Sequence, residues 1–239
     1  MADPVLALDD IRAGYGEAVV LDGISLSLAE GGSLAVLGRN GVGKSTLLLT
    51  IMGLTAVSRG AIRWRGADIT ALAPHRRARH GLGWVAQERE IFRSLSVEEN
   101  LAVAARPGRW DLDAVYALFP RLRERRHHLG HQLSGGEQQM LAIARALATN
   151  PSLLLMDEPL EGLAPIIVEE LTAAIRRLTA DQGTAFILVE QHTEVALSLT
   201  NDAIVLERGA IAHRARSQEL LQDHATLDRL IGLRLAEET

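Results

Sequence analysis

The stretch Gly38-Arg39-Asn40-Gly41-Val42-Gly43-Lys44-Ser45-Thr46 has the spacing GxxxxGK[ST] of a phosphate-binding loop. An apolar run at 33–37 precedes it and predicts a buried strand, while leucine, isoleucine and methionine recur at helical spacing after it. A tight turn with no ligand is the alternative interpretation. The order strand, glycine loop, helix favours a phosphate site, because it aims backbone N–H groups and the positive end of a helix dipole at phosphate oxygens. Lys44 is then placed to reach the β- and γ-phosphates, and the Ser45 hydroxyl to hold Mg²⁺.

A second motif, Leu133-Ser134-Gly135-Gly136-Glu137, opens a helical stretch predicted over 138–148. Ser134 and Glu137 have the spacing of a capping box, so a well-capped helix is one interpretation. The two glycines remain unexplained by it, because glycine weakens a first helical turn unless something approaches the backbone closely.

A third motif is an acidic pair that ends an apolar strand. The strand covers 153–156, and Asp157-Glu158-Pro159 follows it directly. This is an ordinary strand end by itself. In a protein with a phosphate loop it is also where a Mg²⁺-supporting aspartate and a water-activating carboxylate are expected.

With these three motifs in this order, the chain resembles the ATP-binding cassette (ABC) ATPases, the nucleotide-hydrolysing subunits of membrane transporters. The resemblance covers nearly all of residues 1–239. It implies an α/β fold, with a P-loop NTPase (RecA-like) core, an antiparallel β-subdomain and an inserted α-helical subdomain at about 88–132. The whole chain is then one ABC ATPase domain with ATP and Mg²⁺ as its ligands.

The resemblance also implies roles for individual residues. Taken alone, Tyr15 would be interpreted as a turn tyrosine. Gln87 is a candidate site residue only because it follows a predicted strand at 84–86. The implied roles are adenine stacking by Tyr15, phosphate binding by Gly38 to Thr46, Mg²⁺ contact and sensing of the membrane partner by Gln87, signature contacts by Ser134, Gly135 and Gly136, Mg²⁺ support by Asp157, and general base by Glu158.

In the family, the signature turn of one subunit closes on the γ-phosphate bound by the other subunit's loop. The implied partners are a second ABC ATPase subunit, two transmembrane permeases and, indirectly, a periplasmic binding protein. The implied location is the cytoplasmic face of the inner membrane. Stretches at 50–54, 118–122 and 161–170 resemble the shorter ATPase of bacterial importers of branched-chain amino acids. A urea or short-chain amide importer, and a lipopolysaccharide or other exporter, remain alternatives.

The switch position of the family, usually a histidine that contacts the γ-phosphate, is ambiguous here because Gln191 and His192 are adjacent. An ungapped count back from Gly209 favours Gln191. A second departure is Ala164, where the family commonly has an aspartate that reports across the dimer.

Composition agrees with a folded chain: 47% of the 239 residues are hydrophobic, and the net charge is −5. That charge argues against a general nucleic-acid partner. The absence of cysteine excludes disulfides, and the apolar runs are too short to cross a bilayer. With no N-terminal signal pattern, we expect a soluble protein whose membrane role requires a partner.

Along the chain, the pattern predicts antiparallel strands over 5–28 and 61–64, with Ser58-Arg59-Gly60 as punctuation. It predicts a helix that starts at Ser96, where Ser96 and Glu99 have the spacing of a capping box, and further helices over 111–119 and 167–178. It also predicts a strand over 185–189, a last strand at 203–206 and an amphipathic helix over 217–235. A basic run with three histidines at 121–131 is interpreted as a solvated face or a partner contact. We expect membrane coupling through Gln87 and 88–99, although Ile91 and Phe92 also suit the core.

Overall fold

The computed structural model describes residues 4–180 and 184–232. The strands in this part of the chain are β1 (Leu6–Tyr15), β2 (Ala18–Leu28), β3 (Ser33–Leu37), β4 (Ala56–Trp64), β5 (Ala67–Asp68), β6 (Leu82–Val85), β7 (Leu153–Asp157), β8 (Ala185–Val189), β9 (Asp202–Glu207) and β10 (Ala210–Arg216). The helices are α1 (Lys44–Met52), α2 (Pro74–Arg79), α3 (Val97–Ala104), α4 (Leu112–Leu118), α5 (Pro120–Glu124), α6 (Gly135–Ala148), α7 (Pro165–Ala180), α8 (Thr193–Leu199), α9 (Ser217–Gln222) and α10 (His224–Ile231).

The central sheet has the strand order β10-β9-β3-β8-β7-β6 within the described residues. Its strands are parallel except for β10, which pairs antiparallel with β9. Every residue of β3, β7 and β8 is buried, as expected for parallel strands covered on both faces. Since Val36 and Asp157 both pair with Val189, the carboxyl ends of these three strands meet at one edge.

Alternate residues of the central strands belong to two separate hydrophobic clusters. On β3, Ala35 and Leu37 join one cluster, while Leu34 and Val36 join the other. The first, here called the α6-side cluster, contains the buried faces of α6, α7 and the helices between 97 and 124. The second, the α1-side cluster, contains α1 and the inner face of the antiparallel sheet. The two-residue period of the strands therefore supports a layer on each face of the sheet.

The smaller sheet is antiparallel, with the order β2-β1-β4-β5. The prediction that residues 58–60 interrupt the strands is wrong, because they lie within β4. Gly60 has φ +90°, and a Cβ on it would lie 2.3 Å from the Asp9 carbonyl oxygen. The register between β1 and β4 shifts at this point, between Asp9 and Arg12. The glycine thus marks a bulge rather than a turn, a distinction that local composition does not make.

The predicted helices of the middle segment are present, and their caps explain where they begin. Ser96 and Glu99 form the expected reciprocal capping box at the start of α3, and Asp111 caps α4. The signature helix α6 starts at Gly135, three residues earlier than predicted, with Ser134 as its N-cap. Both signature glycines therefore lie in its first turn.

Two predictions for the C-terminal part are wrong. Strand β9 is followed by β10, so 203–206 does not contain the last strand. β10 alternates between exposed and half-buried residues at the sheet edge, so it lacks the apolar run that would predict it. The helix predicted over 217–235 is two helices, because the Asp223 carboxylate accepts a hydrogen bond from the Thr226 N–H (3.0 Å) and starts α10. Residues 233–235 lie outside the described part of the chain.

Candidate nucleotide site

The phosphate loop and the acidic pair face each other at the carboxyl edge of the central sheet. A cavity of about 300 Å³ lies between them. The described residues that line it are Val20, Asn40, Gly41, Gly43, Lys44, Ser45, Thr46, Gln87, Glu158, Glu161 and Gln191. The sheet order explains the meeting, because β8 pairs with both β3 and β7 and brings their loops to the same edge.

The loop backbone is tightly packed on its outer side. Gly38 has φ +142°, and a Cβ there would lie 2.5 Å from the Leu206 carbonyl oxygen on β9, so a larger residue does not fit. The helix α1 begins after Gly43, which provides no side-chain cap for the first-turn N–H groups. Uncapped N–H groups at a helix N-terminus favour an anion, here phosphate.

Lys44 is buried and contacts both the loop and the acidic pair. Its Nζ donates to the carbonyl oxygens of Gly38 (3.0 Å) and Arg39 (3.3 Å). The same Nζ lies 3.7 Å from Glu158 Oε1, and both side chains are less than a tenth exposed. A cation and a carboxylate, each shielded from water, thus lie beside one cavity and attract each other more strongly than an exposed pair would.

Asp157 and Ser45 form an oxygen-rich pair beside this contact. The Ser45 hydroxyl donates to Asp157 Oδ1 at 3.0 Å. Burial raises the pKa of Asp157 to about 6, against the Ser45 hydrogen bond, which lowers it, and Glu158 adds a smaller upward contribution. Hydroxyl and carboxylate oxygens are the donors that Mg²⁺ prefers.

Two glutamine side chains converge on Glu158. The Nε2 of Gln191 donates to Glu158 Oε2 at 2.7 Å, and that of Gln87 lies 3.4 Å from the same oxygen. Gln87 also donates to Glu161 Oε2 at 2.5 Å. His192 is exposed, caps α8 and is not among the described residues lining the cavity. The structure therefore brings Gln191, rather than His192, to the acidic pair.

The sequence reasoning missed Glu190, a buried acid between the two loops. Burial raises its pKa to about 7, while hydrogen bonds from the backbone of Leu160, His192 and Gln191 act in the opposite direction. The pattern that could have indicated it is a charged residue ending an otherwise wholly apolar strand, since such residues are rarely buried unless paired.

Tyr15 lies at the end of β1, opposite Ala18 of β2, and its side chain is 48% exposed. It is not among the described residues that line the cavity, whereas Val20, from the next strand, is. The adenine-stacking role of Tyr15 therefore stays a prediction.

The signature turn has a different setting. Ser134 and Glu137 form the predicted capping box, with Ser134 N donating to Glu137 Oε2 at 2.8 Å and Glu137 N to Ser134 Oγ at 3.3 Å. Ser134 and Gly135 are exposed, and neither is among the described residues that line the cavity. Gly136 is buried, and a Cβ on it would lie 2.7 Å from Ile167 Cγ2.

The segment after Gln87 packs against the signature helix. Arg89 Nε donates to Gln139 Oε1 on α6 (3.2 Å), and Arg145 Nη2 donates to the Glu90 carbonyl oxygen (2.6 Å). Arg89 and Glu90 both have positive φ, at 64° and 46°. Phe92 is 46% exposed beneath the Arg145 guanidinium, which suits a contact surface. Ile91 instead packs on the α6-side cluster. The structure therefore supports the contact-surface interpretation for Phe92 and the core interpretation for Ile91.

The basic run at 121–131 is largely paired within the chain. Arg121 bonds Glu170 at 2.6 Å, Arg125 lies 3.4 Å from Glu137, and His127 lies 3.9 Å from Glu98. These pairs favour the solvated-face interpretation over a partner contact. Over residues 4–180 and 184–232, every helix is too short or too polar to cross a bilayer.

Comparison with known proteins agrees with this geometry. The family model described as ABC transporter matches residues 21–161. The chain is 39% identical over 233 residues to the high-affinity branched-chain amino acid transport ATP-binding protein BraG of Pseudomonas aeruginosa, covering 95% of this chain and 100% of that one. It is 36% identical to the probable branched-chain amino acid transport ATP-binding protein LivF of Archaeoglobus fulgidus, over 92% and 95% of the two chains. A crystal structure of a nucleotide-free ATP-binding cassette from an ABC transporter superposes with a TM-score of 0.83 at 25% identity, covering 98% of this chain and 100% of that one.

Proposed function

The chain belongs to the ABC transporter family of ATP-binding proteins, and from that premise we propose that it energises the import of branched-chain, hydrophobic amino acids through separate permease subunits. The ATPase class and the predicted α/β P-loop fold are confirmed by the family match and the structural likeness. The solute is proposed from the names of the relatives BraG and LivF, because an ATPase subunit does not contact it.

The observation that supports hydrolysis most directly is the convergence of Lys44 and Gln191 on Glu158. We assign Glu158 as the general base that accepts a proton from the attacking water. Lys44 neutralises charge on the transferred phosphoryl group, and the Gln191 amide donates a hydrogen bond that a carboxylate or a phosphate oxygen can accept. Gly38 to Thr46 hold the phosphates.

The site chemistry fits Mg²⁺. Ser45 and Asp157 would hold the ion, with Gln87 close to the same acidic pair. When bound, Mg²⁺ supplies neutralisation of the negative charge on the β- and γ-phosphates.

The separation of the signature turn from the cavity supports a dimer. The exposed Ser134 and Gly135 do not line the cavity of their own chain within the described residues, yet they open a helix whose positive end suits a phosphate. We propose that they close on ATP held by a second ABC ATPase subunit. The assembly includes two transmembrane permeases, which hold this chain at the cytoplasmic face of the membrane, and indirectly a periplasmic binding protein. Within it this chain is one ABC ATPase domain, with a helical subdomain at about 88–132.

The proposal is tested by reconstituting the chain in proteoliposomes with the permeases and second ATPase encoded beside its gene. ATP inside the vesicles should drive uptake of labelled leucine delivered by the binding protein, and Glu158→Gln should abolish that uptake. Uptake of urea in place of leucine would reject the amino-acid assignment while leaving the ATPase assignment intact.

A further inference from the structure

Glu190 is a carboxylate buried to 1% exposure at the end of β8. Its Oε1 accepts a hydrogen bond from the Leu160 N–H at 2.8 Å, and its Oε2 accepts one from the Gln191 N–H at 3.2 Å. The backbone N–H of His192 bonds the same carboxylate. One side chain therefore connects the loop that follows β7 with the loop that follows β8.

The first of these connections fixes the backbone around Glu158. Glu158 has φ +47°, a left-handed conformation that non-glycine residues rarely adopt unless their surroundings impose it. Its own N–H donates to the Val189 carbonyl oxygen at 2.9 Å, which fixes the strand side. Leu160 lies two residues after Glu158, and the hydrogen bond from its N–H to Glu190 fixes the other side.

The second connection fixes the residue that contacts Glu158. Glu190 holds the backbone N–H of Gln191, and the side-chain amide of Gln191 donates to Glu158 Oε2 at 2.7 Å. We infer that Glu190 is a positioning residue, which aligns the Glu158 carboxylate with the Gln191 amide for ATP hydrolysis. This inference rests on the proposed function of Glu158 as the base.

The chemistry of the group explains why a carboxylate stands there. Both of its oxygens accept from N–H donors of different loops, whereas an amide offers one acceptor and would direct N–H₂ at the other donor. The negative charge of Glu158 opposes a second negative charge at Glu190, and the Lys44 Nζ lies 3.7 Å from Glu158 Oε1 as a cation that offsets it. The free-energy cost of burying this carboxylate is offset because its two oxygens accept hydrogen bonds from both loops.

The test compares Glu190→Gln with Glu194→Gln in the full chain, assembled with the subunits that support its turnover. Glu194 is an exposed glutamate in the first turn of α8, four residues away, and serves as the matched control. Loss of one well-placed hydrogen bond should lower kcat of Glu190→Gln about tenfold, with the KM for ATP retained and the melting temperature lowered by no more than about 4 °C. Glu194→Gln should match the unchanged protein in all three.

Turnover of Glu190→Gln within about twofold of the unchanged protein would overturn the inference, since a lost hydrogen bond costs more than that. A lower kcat accompanied by matching losses in ATP affinity and melting temperature would also overturn it, because that is a structural role. The double variant Glu190→Gln/Gln191→Ala should lose less than the product of the two single losses, because Glu190 acts partly through Gln191.

A Glu158→Gln arm separates this inference from the proposed function. Normal turnover of Glu158→Gln removes the proposed base and with it the premise. Lost turnover of Glu158→Gln together with normal turnover of Glu190→Gln leaves the function standing and rejects only the role of Glu190.

Discussion

The phosphate loop and the signature turn both lie at the N-terminus of a helix, but only one is enclosed by its own chain. Around the loop, Lys44 is 5% exposed and contacts Glu158 within the cavity. At the signature turn, Ser134 and Gly135 are exposed. The N-terminal caps of the two helices also differ, because α1 has no side-chain cap, whereas the Ser134 side chain caps α6.

The two motifs therefore differ in how many of the groups around them come from their own chain. The loop leaves N–H groups for a phosphate, and side chains that follow β6, β7 and β8 of the same chain line the cavity beside them. In the signature turn, Ser134 Oγ accepts a hydrogen bond from an N–H group at the start of α6, and the exposed Gly135 leaves the outer surface without a side chain. On the proposed function, one site is thus assembled by folding, and the other is completed by a second subunit.

The largest effect should come from the enclosed region. Glu158→Gln should lower ATP hydrolysis by about 10² or more, because it removes a general base while retaining the shape of the side chain. ATP binding should persist and trap a dimer. Lys44→Ala should lower both binding and turnover, because it deletes a phosphate contact. Equilibrium binding of a fluorescent ATP analogue, steady-state hydrolysis and gel filtration measure these results, and near-normal turnover of Glu158→Gln would refute the assignment.

The signature turn offers a matched pair of glycines. A Cβ on Gly135 meets only the end of the Arg89 side chain, at 3.2 Å, whereas one on Gly136 meets Ile167 at 2.7 Å. Gly136→Ala should therefore lower the free energy of unfolding by about 1–3 kcal/mol through overpacking. Gly135→Ala should leave stability nearly unchanged and slow hydrolysis about tenfold, as expected when a phosphate donor surface is altered.

Denaturant titration and hydrolysis assays of both alanine variants check this pair. Normal hydrolysis by Gly135→Ala would show that the exposed turn does not receive a phosphate. It would reject the proposed difference between the phosphate loop and the signature turn.

Within the enclosed region, Gln191 and His192 should differ. Gln191→Ala removes the 2.7 Å contact with Glu158, so hydrolysis should fall about fivefold, the usual cost of one hydrogen bond. His192→Ala should have a smaller effect, since His192 is exposed and is not among the described residues that line the cavity. A large loss confined to His192→Ala would favour a gapped alignment with the family's switch histidine.

The smallest effect is a pH dependence of stability with opposite signs in the two regions. Burial raises the pKa of Glu190 from 4.5 to about 7, so the folded chain binds this proton more tightly than the unfolded chain does. Its contribution to stability should therefore increase as pH falls through the window from about 7 to 4.5. Relative to Glu190→Gln, the unchanged protein should gain about 1 kcal/mol between pH 8 and pH 6.

Glu137 of the signature turn should behave in the opposite way. Burial alone would raise its pKa, but hydrogen bonds from Ser134 and the charge of Arg125 outweigh it and keep the pKa below 4.5. Its stabilisation should be present above pH 4.5 and disappear as pH falls further. Unfolding measured against pH for Glu190→Gln and Glu137→Gln checks both signs, and parallel curves would contradict them.

The sequence predicted those features that local chemistry determines. The strand–loop–helix unit around Lys44, the capping boxes at Ser96 and Ser134, and the acidic pair after β7 all depend on neighbours within a few residues. The fold class was implied by the family resemblance that their order carries, and it is confirmed.

The features that sequence reasoning missed depend on distant contacts. Glu190 becomes informative only when Leu160, thirty residues away, donates to it. Gly60 lies opposite a bulge of β1 rather than in a turn, because β1 and β4 pair on both sides of it. β10 is an edge strand stabilised by pairing with β9, not by apolar burial. In each case the partner is set by tertiary structure, which propensity does not record.

The two clusters on opposite faces of the central sheet have a consequence for divergence among relatives. Leu48 of α1 and Leu147 of α6 are both fully buried, yet they belong to different clusters. Because they share no packing partners, substitutions at the two positions should change the free energy of unfolding additively. A lineage that adapts its middle helices to a new permease must compensate within the α6-side cluster alone. Such changes should leave the packing of α1 against the other face of the sheet intact.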